Sequence, residues 1–114
     1  MRVTAKHLVA AYRAGKSRTV GNSSVEINPD RSVVFRLHGN AIVDIGPQGD
    51  VAVSLAGRPT PTTRSRINDI LHGLGVYASV SQASGTQWLG VGHESPVEMS
   101  SGTWYAVFNP PVRM

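Results

Sequence analysis

The sequence predicts an α+β fold, an antiparallel β-meander sheet of about five to seven strands packed by two α-helices, and three observations lead there. Apolar residues recur with a helical period in two stretches and alternate with polar ones through most of the rest. Twelve glycines and seven prolines break the chain into many short elements. A length of 114 residues, 40% hydrophobic and 16% charged, supplies material for one core. The expected organisation is a single domain over 1–114, with a basic amphipathic helix over 1–16, a meander, helix and hairpin core over 17–108, and an extended tail over 109–114.

Ala5, Leu8, Val9 and Tyr12 fall at i, i+3, i+4 and i+7, which makes one apolar stripe; Thr4 is the expected N-cap and Gly15 the stop. Arg2, Lys6 and Arg13 lie on the opposite side of that helix. From Ser17 to Gly57 the period becomes two. Val25 and Ile27 lead into the turn residues Asn28-Pro29-Asp30-Arg31, and Val33 to Leu37 follows as a strand. His38-Gly39-Asn40 interrupts, Ala41 to Ile45 resumes, Gly46-Pro47-Gln48-Gly49-Asp50 forms a hairpin, and Val51 to Leu55 returns. Val33, Phe35 and Leu37 share a face, as do Val51, Val53 and Leu55, and these faces are expected to meet the helices.

Pro59 and Pro61 forbid a central strand, and the threonines around them offer hydroxyls to a following helix, with Thr62 or Thr63 as the expected cap. Ile67, Ile70, Leu71 and Leu74 form its apolar stripe, and Gly73 or Gly75 ends it. Arg64, Asn68 and His72 recur on the other side and are expected to look outward. Strands are then expected over Val76 to Ser81, Trp88 to Gly92 and Thr103 to Phe108, with a turn at Ala83-Ser84-Gly85-Thr86 and the two tryptophans, Trp88 and Trp104, as packing residues of the core or the sheet edge.

The formal charge is +4, and its layout is uneven: residues 1–18 carry Arg2, Lys6, Arg13, Lys16 and Arg18 with no acid. Arg58, Arg64 and Arg66 form a second basic segment before Asp69, and the intervening stretch is mildly acidic. Two basic segments favour an anionic partner, nucleic acid first, and the same charges also serve solubility. The candidate contacts are Arg2, Lys6, Arg13, Lys16, Arg18, Arg58, Arg64 and Asn68.

Several classes fall away. Without cysteine there is no disulfide, thiolate metal site or cysteine nucleophile. No run is long and apolar enough to span a bilayer, so the expectation is a cytoplasmic chain with no membrane partner. His7, His38, His72 and His93 lack the spacing of a metal site, and there is no phosphate-cradling loop or nucleophile elbow, so the reading is non-enzymatic, with no cofactor and no metal.

The run Arg36-Leu37-His38-Gly39-Asn40-Ala41-Ile42, followed by Val51 to Gly57 and then by Thr60, Thr62, Thr63, Arg66 and Asn68, resembles an uncharacterised family of small bacteriophage and actinobacterial proteins. In that family a Leu-His-Gly strand leads through a hairpin to Ser-x-Gly-Trp-x-Thr-x-Thr-Thr-x-x-Arg-Leu-Asn and a helix. Here Leu55-Ala56-Gly57-Arg58 stands in place of Ser-x-Gly-Trp, and Trp104-Tyr105 resembles a late Trp-Tyr pair. The resemblance covers residues 33–75 well and 76–108 loosely, and it implies a phage-type accessory protein without an activity to carry over. On the residues themselves, Thr62 or Thr63 caps the helix, Arg66 bonds backbone carbonyls and Asn68 ties down a neighbouring loop. The leading function is contact with DNA or RNA through basic helix faces. The alternatives are a protein-binding module directed at a host or defence protein, using a sheet edge or the region around Trp88 and Trp104, and a minor virion component.

Overall fold

A computed structural model describes residues 3–110, and Arg2 and Arg113 lie outside the described residues. The first helix, α1, spans Val3–Arg13 and buries Ala5, Leu8, Val9 and Ala11, the stripe read from the sequence. Its C-terminus is closed by Gly15 at φ 69°, whose N–H donates to the Tyr12 carbonyl while Lys16 N–H donates to Ala11, the paired bonds of a left-handed glycine cap. Thr4 is not the cap: the helix already includes Val3, so Thr4 belongs to its first turn.

Of the ten remaining elements, nine are strands held by pairing and one is a capped helix. A six-stranded antiparallel sheet has the order β1-β2-β3-β4-β5-β9, formed by β1 (Arg18–Val20), β2 (Ser23–Ile27), β3 (Val33–Leu37), β4 (Asn40–Ile45), β5 (Val51–Val53) and β9 (Tyr105–Phe108). Val25, Val33, Phe35, Leu37, Val43, Val51 and Val53 are buried on one face, because alternation puts them all on the side covered by the helices. The β3–β4 hairpin turns through His38 at φ 50° and Gly39 at φ 80°, two consecutive left-handed residues that match the twist of the flanking strands. Asp30 closes the β2–β3 turn by accepting both the N–H and the hydroxyl of Ser32. The short edge strand β1 was not resolved as a separate element in the periodicity, since three residues carry too little alternation to show it.

The second helix, α2, spans Pro61–Leu74. Ile67, Ile70 and Leu71 are fully buried against the sheet and Leu74 partly so. Its cap is Thr60, neither Thr62 nor Thr63: the Thr60 hydroxyl accepts the Thr63 N–H at 3.2 Å from an extended backbone (φ −96°, ψ 159°). The physical reason is Pro61, whose fixed φ and missing N–H suit the first helical position and put the cap on the residue before it. Gly75, left-handed at φ 76°, ends the helix.

Beyond α2 the chain does not simply extend the first sheet. β6 (Ala78–Ala83), β7 (Thr86–Val91) and β8 (Val97–Met99) form a separate three-stranded antiparallel sheet, and the last strand then returns to pair with β5. β6 begins two residues later than the pattern suggests, and β8 is a strand the pattern does not predict. Val80, Leu89 and Met99 are its buried apolar residues, and α2 lies between this sheet and the larger one.

Candidate functional site

The motif on α2 is a set of ties in two directions. Positions 64 and 68 are four apart and share a face, while position 66 is turned roughly 160° away on the same helix. Asn68 forms a closed amide pair with β6: its side-chain N–H₂ donates to the Val80 carbonyl at 2.9 Å, and its carbonyl accepts the Val80 N–H at 2.7 Å. Val80 sits opposite Leu89 in the β6–β7 ladder, so its own N–H and C=O point away from β7 and Asn68 takes the place of the next strand. Arg64 spans from α2 to the same sheet, donating to Gln87 Oε1 and to the Pro59 carbonyl, each at 2.9 Å. On the opposite side Arg66, 8% exposed, donates to the Ser23 hydroxyl and to Asn22 Oδ1 in the β1–β2 turn and strand.

Two expectations change as a result. Arg64 and Asn68 do not look outward: both are half-buried and engaged with the second sheet, so they leave the set of surface contacts. Arg66 reaches side-chain oxygens of Asn22 and Ser23 across the helix–sheet boundary, beyond the backbone carbonyls expected of it.

The remaining motif residues converge on a cleft of about 250 Å³ at the N-terminal end of α2, lined among others by His38, Asn40, Arg58, Thr60, Thr62 and Thr63. Two left-handed turns build it. His38-Gly39 swings the β3–β4 hairpin toward the helix, and Ala56-Gly57, at φ 55° and 72°, turns the chain so that Arg58 arrives at the cleft. The glycines of the Leu-His-Gly and Ala-Gly-Arg segments thus have a backbone reason to be there. Thr60 and Thr63 share a hydroxyl–hydroxyl hydrogen bond at 3.0 Å, and Thr63 is buried.

Of the basic candidates, Lys6, Arg13, Lys16 and Arg18 are exposed and follow one another along α1 and through its exit into β1. Arg13 also donates to the Gly73 carbonyl at 2.9 Å, which ties the last turns of the two helices together. Arg58 stands apart, exposed at the cleft on the other end of α2. Among the described residues the ion pair seen is Arg36–Glu26 at 3.8 Å, on the sheet face turned away from the helices. Asp44 lies on that outer face too; burial, then the nearby Asp50 and Asp30 carboxylates, push its pKa up. The hydrogen bonds from Ser32 hold Asp30 below the usual carboxylate range.

Among the described residues no group of three or more His, Asp or Glu side chains could hold a metal ion. No helix among them is long and apolar enough to cross a membrane. Neither tryptophan is a core residue: Trp88 is half-buried on β7, opposite Ser81 and Glu98, and Trp104, 44% exposed, precedes the edge strand β9 in coil. The aromatic residues that do lie beside the basic row, Tyr12 and Phe108, had no local signal, since one belongs to the apolar stripe of α1 and the other to a final strand whose neighbour was unknown.

A family model described as Kyanoviridae Gp96 protein matches residues 1–106. No curated protein and no solved structure matches the chain. The protein belongs to this phage family, whose function is unknown, in keeping with the expectation of an uncharacterised phage protein.

Proposed function

We propose that this member of the Kyanoviridae Gp96 family is a non-enzymatic accessory protein that contacts nucleic acid through phosphates along the outer side of α1. One observation carries the reading: Lys6, Arg13, Lys16 and Arg18 occupy an acid-free stretch, all exposed, and none of the four is neutralised by an ion pair among the described residues. Lys6 and Arg13 are seven apart and so lie on one helical face, and the capped turn at Gly15 carries Lys16 and Arg18 onward from it. A row of unpaired cations on a rigid helix attracts a polyanion and releases its counterions, which gives affinity without base readout.

Arg58, Arg64 and Asn68 are not needed for this reading. Gel-shift titration at low and moderate salt tests it. Binding should weaken steeply as salt rises, and K6E/R13E should abolish it, with a cooperative melt showing that loss of the Arg13–Gly73 bond has not unfolded the chain. Absence of any shift with DNA or RNA at low salt would remove the nucleic-acid reading and promote the protein-binding alternative.

A further inference from the structure

A second cleft, about 240 Å³, opens at the C-terminal end of α2 and differs in kind from the one at its start. Ile45, Val51, Leu74 and Val76 line it together with Tyr12, Phe108 and the backbone of Gly49 and Gly75, and its one charged lining residue is Arg13. The volume falls below the roughly 300 Å³ at which pockets for drug-sized molecules begin, so it suits a single ring system. The Tyr12 ring is braced from behind by Phe35, with centroids 6.1 Å apart and planes tilted by 59°. Phe108 is 44% exposed and offers its ring to the solvent side.

Arg13 links this cleft to the row of cations on α1. Its bond to the Gly73 carbonyl holds the guanidinium at the cleft, with further N–H groups of the fork left for a phosphate. The acid next to the lining, Asp50, has its carboxylate folded against Gly46, and Asp44 lies on the other face of the sheet.

We infer that the cleft receives an unpaired base of a single-stranded polynucleotide whose phosphates follow Arg13 and its neighbours. This rests on the nucleic-acid reading of α1 and adds a preference that charge does not supply. A surface that binds by charge alone favours the duplex, which carries the denser row of phosphates. A ring beside a cation favours the single strand, because an unpaired base has free faces to stack while a base inside a duplex does not. Stacking on Phe108 tolerates any base, so the preference is for strandedness rather than sequence.

Fluorescence anisotropy at low salt decides this with a labelled oligo-dT of about twelve nucleotides, a duplex of the same length, and heparin, a polyanion without bases. The full chain should bind the single strand more tightly than the duplex. F108A should weaken oligo-dT binding at least about fivefold, the low end for one stacked base, while heparin binding is unchanged and F108W restores the oligonucleotide. Oligo-U in place of oligo-dT tells whether the strand is RNA or DNA, and tighter binding of either than of duplex supports the inference. Duplex bound as tightly as single strand, or F108A indistinguishable from the parent on both oligonucleotides, overturns the inference and leaves the phosphate-contact reading standing. Failure to bind either strand form overturns both. The duplex comparison needs no variant, so a misfolded F108A would not blunt the test.

Discussion

The two sheets rest on opposite sides of α2 and are joined to it by a different balance of apolar and polar contacts, Arg66 being the polar tie to the larger sheet. The larger sheet meets the helix through Ile67, Ile70 and Leu71, all fully buried beside Phe35, Val43, Val53 and Leu55 in one continuous core. The smaller sheet adds only Val80, Leu89 and Met99 to that same core and depends more on polar ties, the Asn68–Val80 amide pair and the Arg64–Gln87 bond. Apolar contact is non-directional and survives small shifts, whereas an amide pair demands register. The difference implies that the first junction sets overall stability and the second sets where the small sheet docks.

The largest effect should come from the apolar junction. I70A removes a fully buried side chain and should cost about 2 to 4 kcal/mol, read as a fall in the urea midpoint for the whole chain. An unchanged midpoint would show that this stripe is not the joint.

N68A tests the second junction. It strands the Val80 N–H and carbonyl at a half-buried strand edge, and about 1 to 3 kcal/mol is expected for groups left without partners. The contrast sharpens if amide exchange accelerates in β6 and β7 while β3 and β4 stay protected. Uniform acceleration would mean that the two sheets unfold as one unit.

Capping separates two neighbouring threonines. T60A should lose about 0.5 to 2 kcal/mol, because the hydroxyl that accepts the Thr63 N–H is gone. T62A, at an exposed position in the first turn, should stay within about 0.5 kcal/mol of the parent. Equal losses in thermal melts of the two variants would place the cap elsewhere.

R64A is expected to have the smallest effect of the polar ties, about 0.5 to 1.5 kcal/mol, the net of its hydrogen bonds to Gln87 and Pro59. Its sign matters more than its size. An outward arginine near a helix N-terminus opposes the helix dipole, so its removal would leave stability equal or slightly raised. A lower melting temperature for R64A, with nucleic-acid affinity unmoved, is the outcome the structure leads us to expect.

The meander, both helices and the core faces were legible because periodicity reports burial directly. Ala5, Leu8 and Val9 on α1, Ile67, Ile70 and Leu71 on α2, and Val33, Phe35 and Leu37 on β3 needed no partner to be named as inward-facing. The glycine stops at Gly15 and Gly75 were equally legible, since left-handed backbone at a helix end is a local matter. Local rules also err locally: the hydroxyls at 60, 62 and 63 look equivalent as caps until Pro61 is placed at the first helical position, which makes Thr60 the cap.

On the polar face of α2, His72 is exposed as expected, and Arg64 and Asn68 depart from the pattern for a different reason. Arg64, Asn68 and His72 recur like a solvated stripe, and nothing within the helix distinguishes a charge facing water from one facing a second sheet. That distinction arises only when β6 and β7 pair and leave the Val80 peptide groups unpaired on the α2 side. The division of the late strands has the same origin, because β9 joins β5 across more than fifty residues of chain, a contact that no local pattern encodes. By itself the sequence determined the α+β class, the two amphipathic helices, the core and the acid-free row of cations, all of which follow from the period and spacing of neighbouring residues. Only the tertiary structure decided which polar residues bind solvent and which bind the fold, and which aromatic rings stand beside Arg13, because both depend on elements brought together from distant parts of the chain.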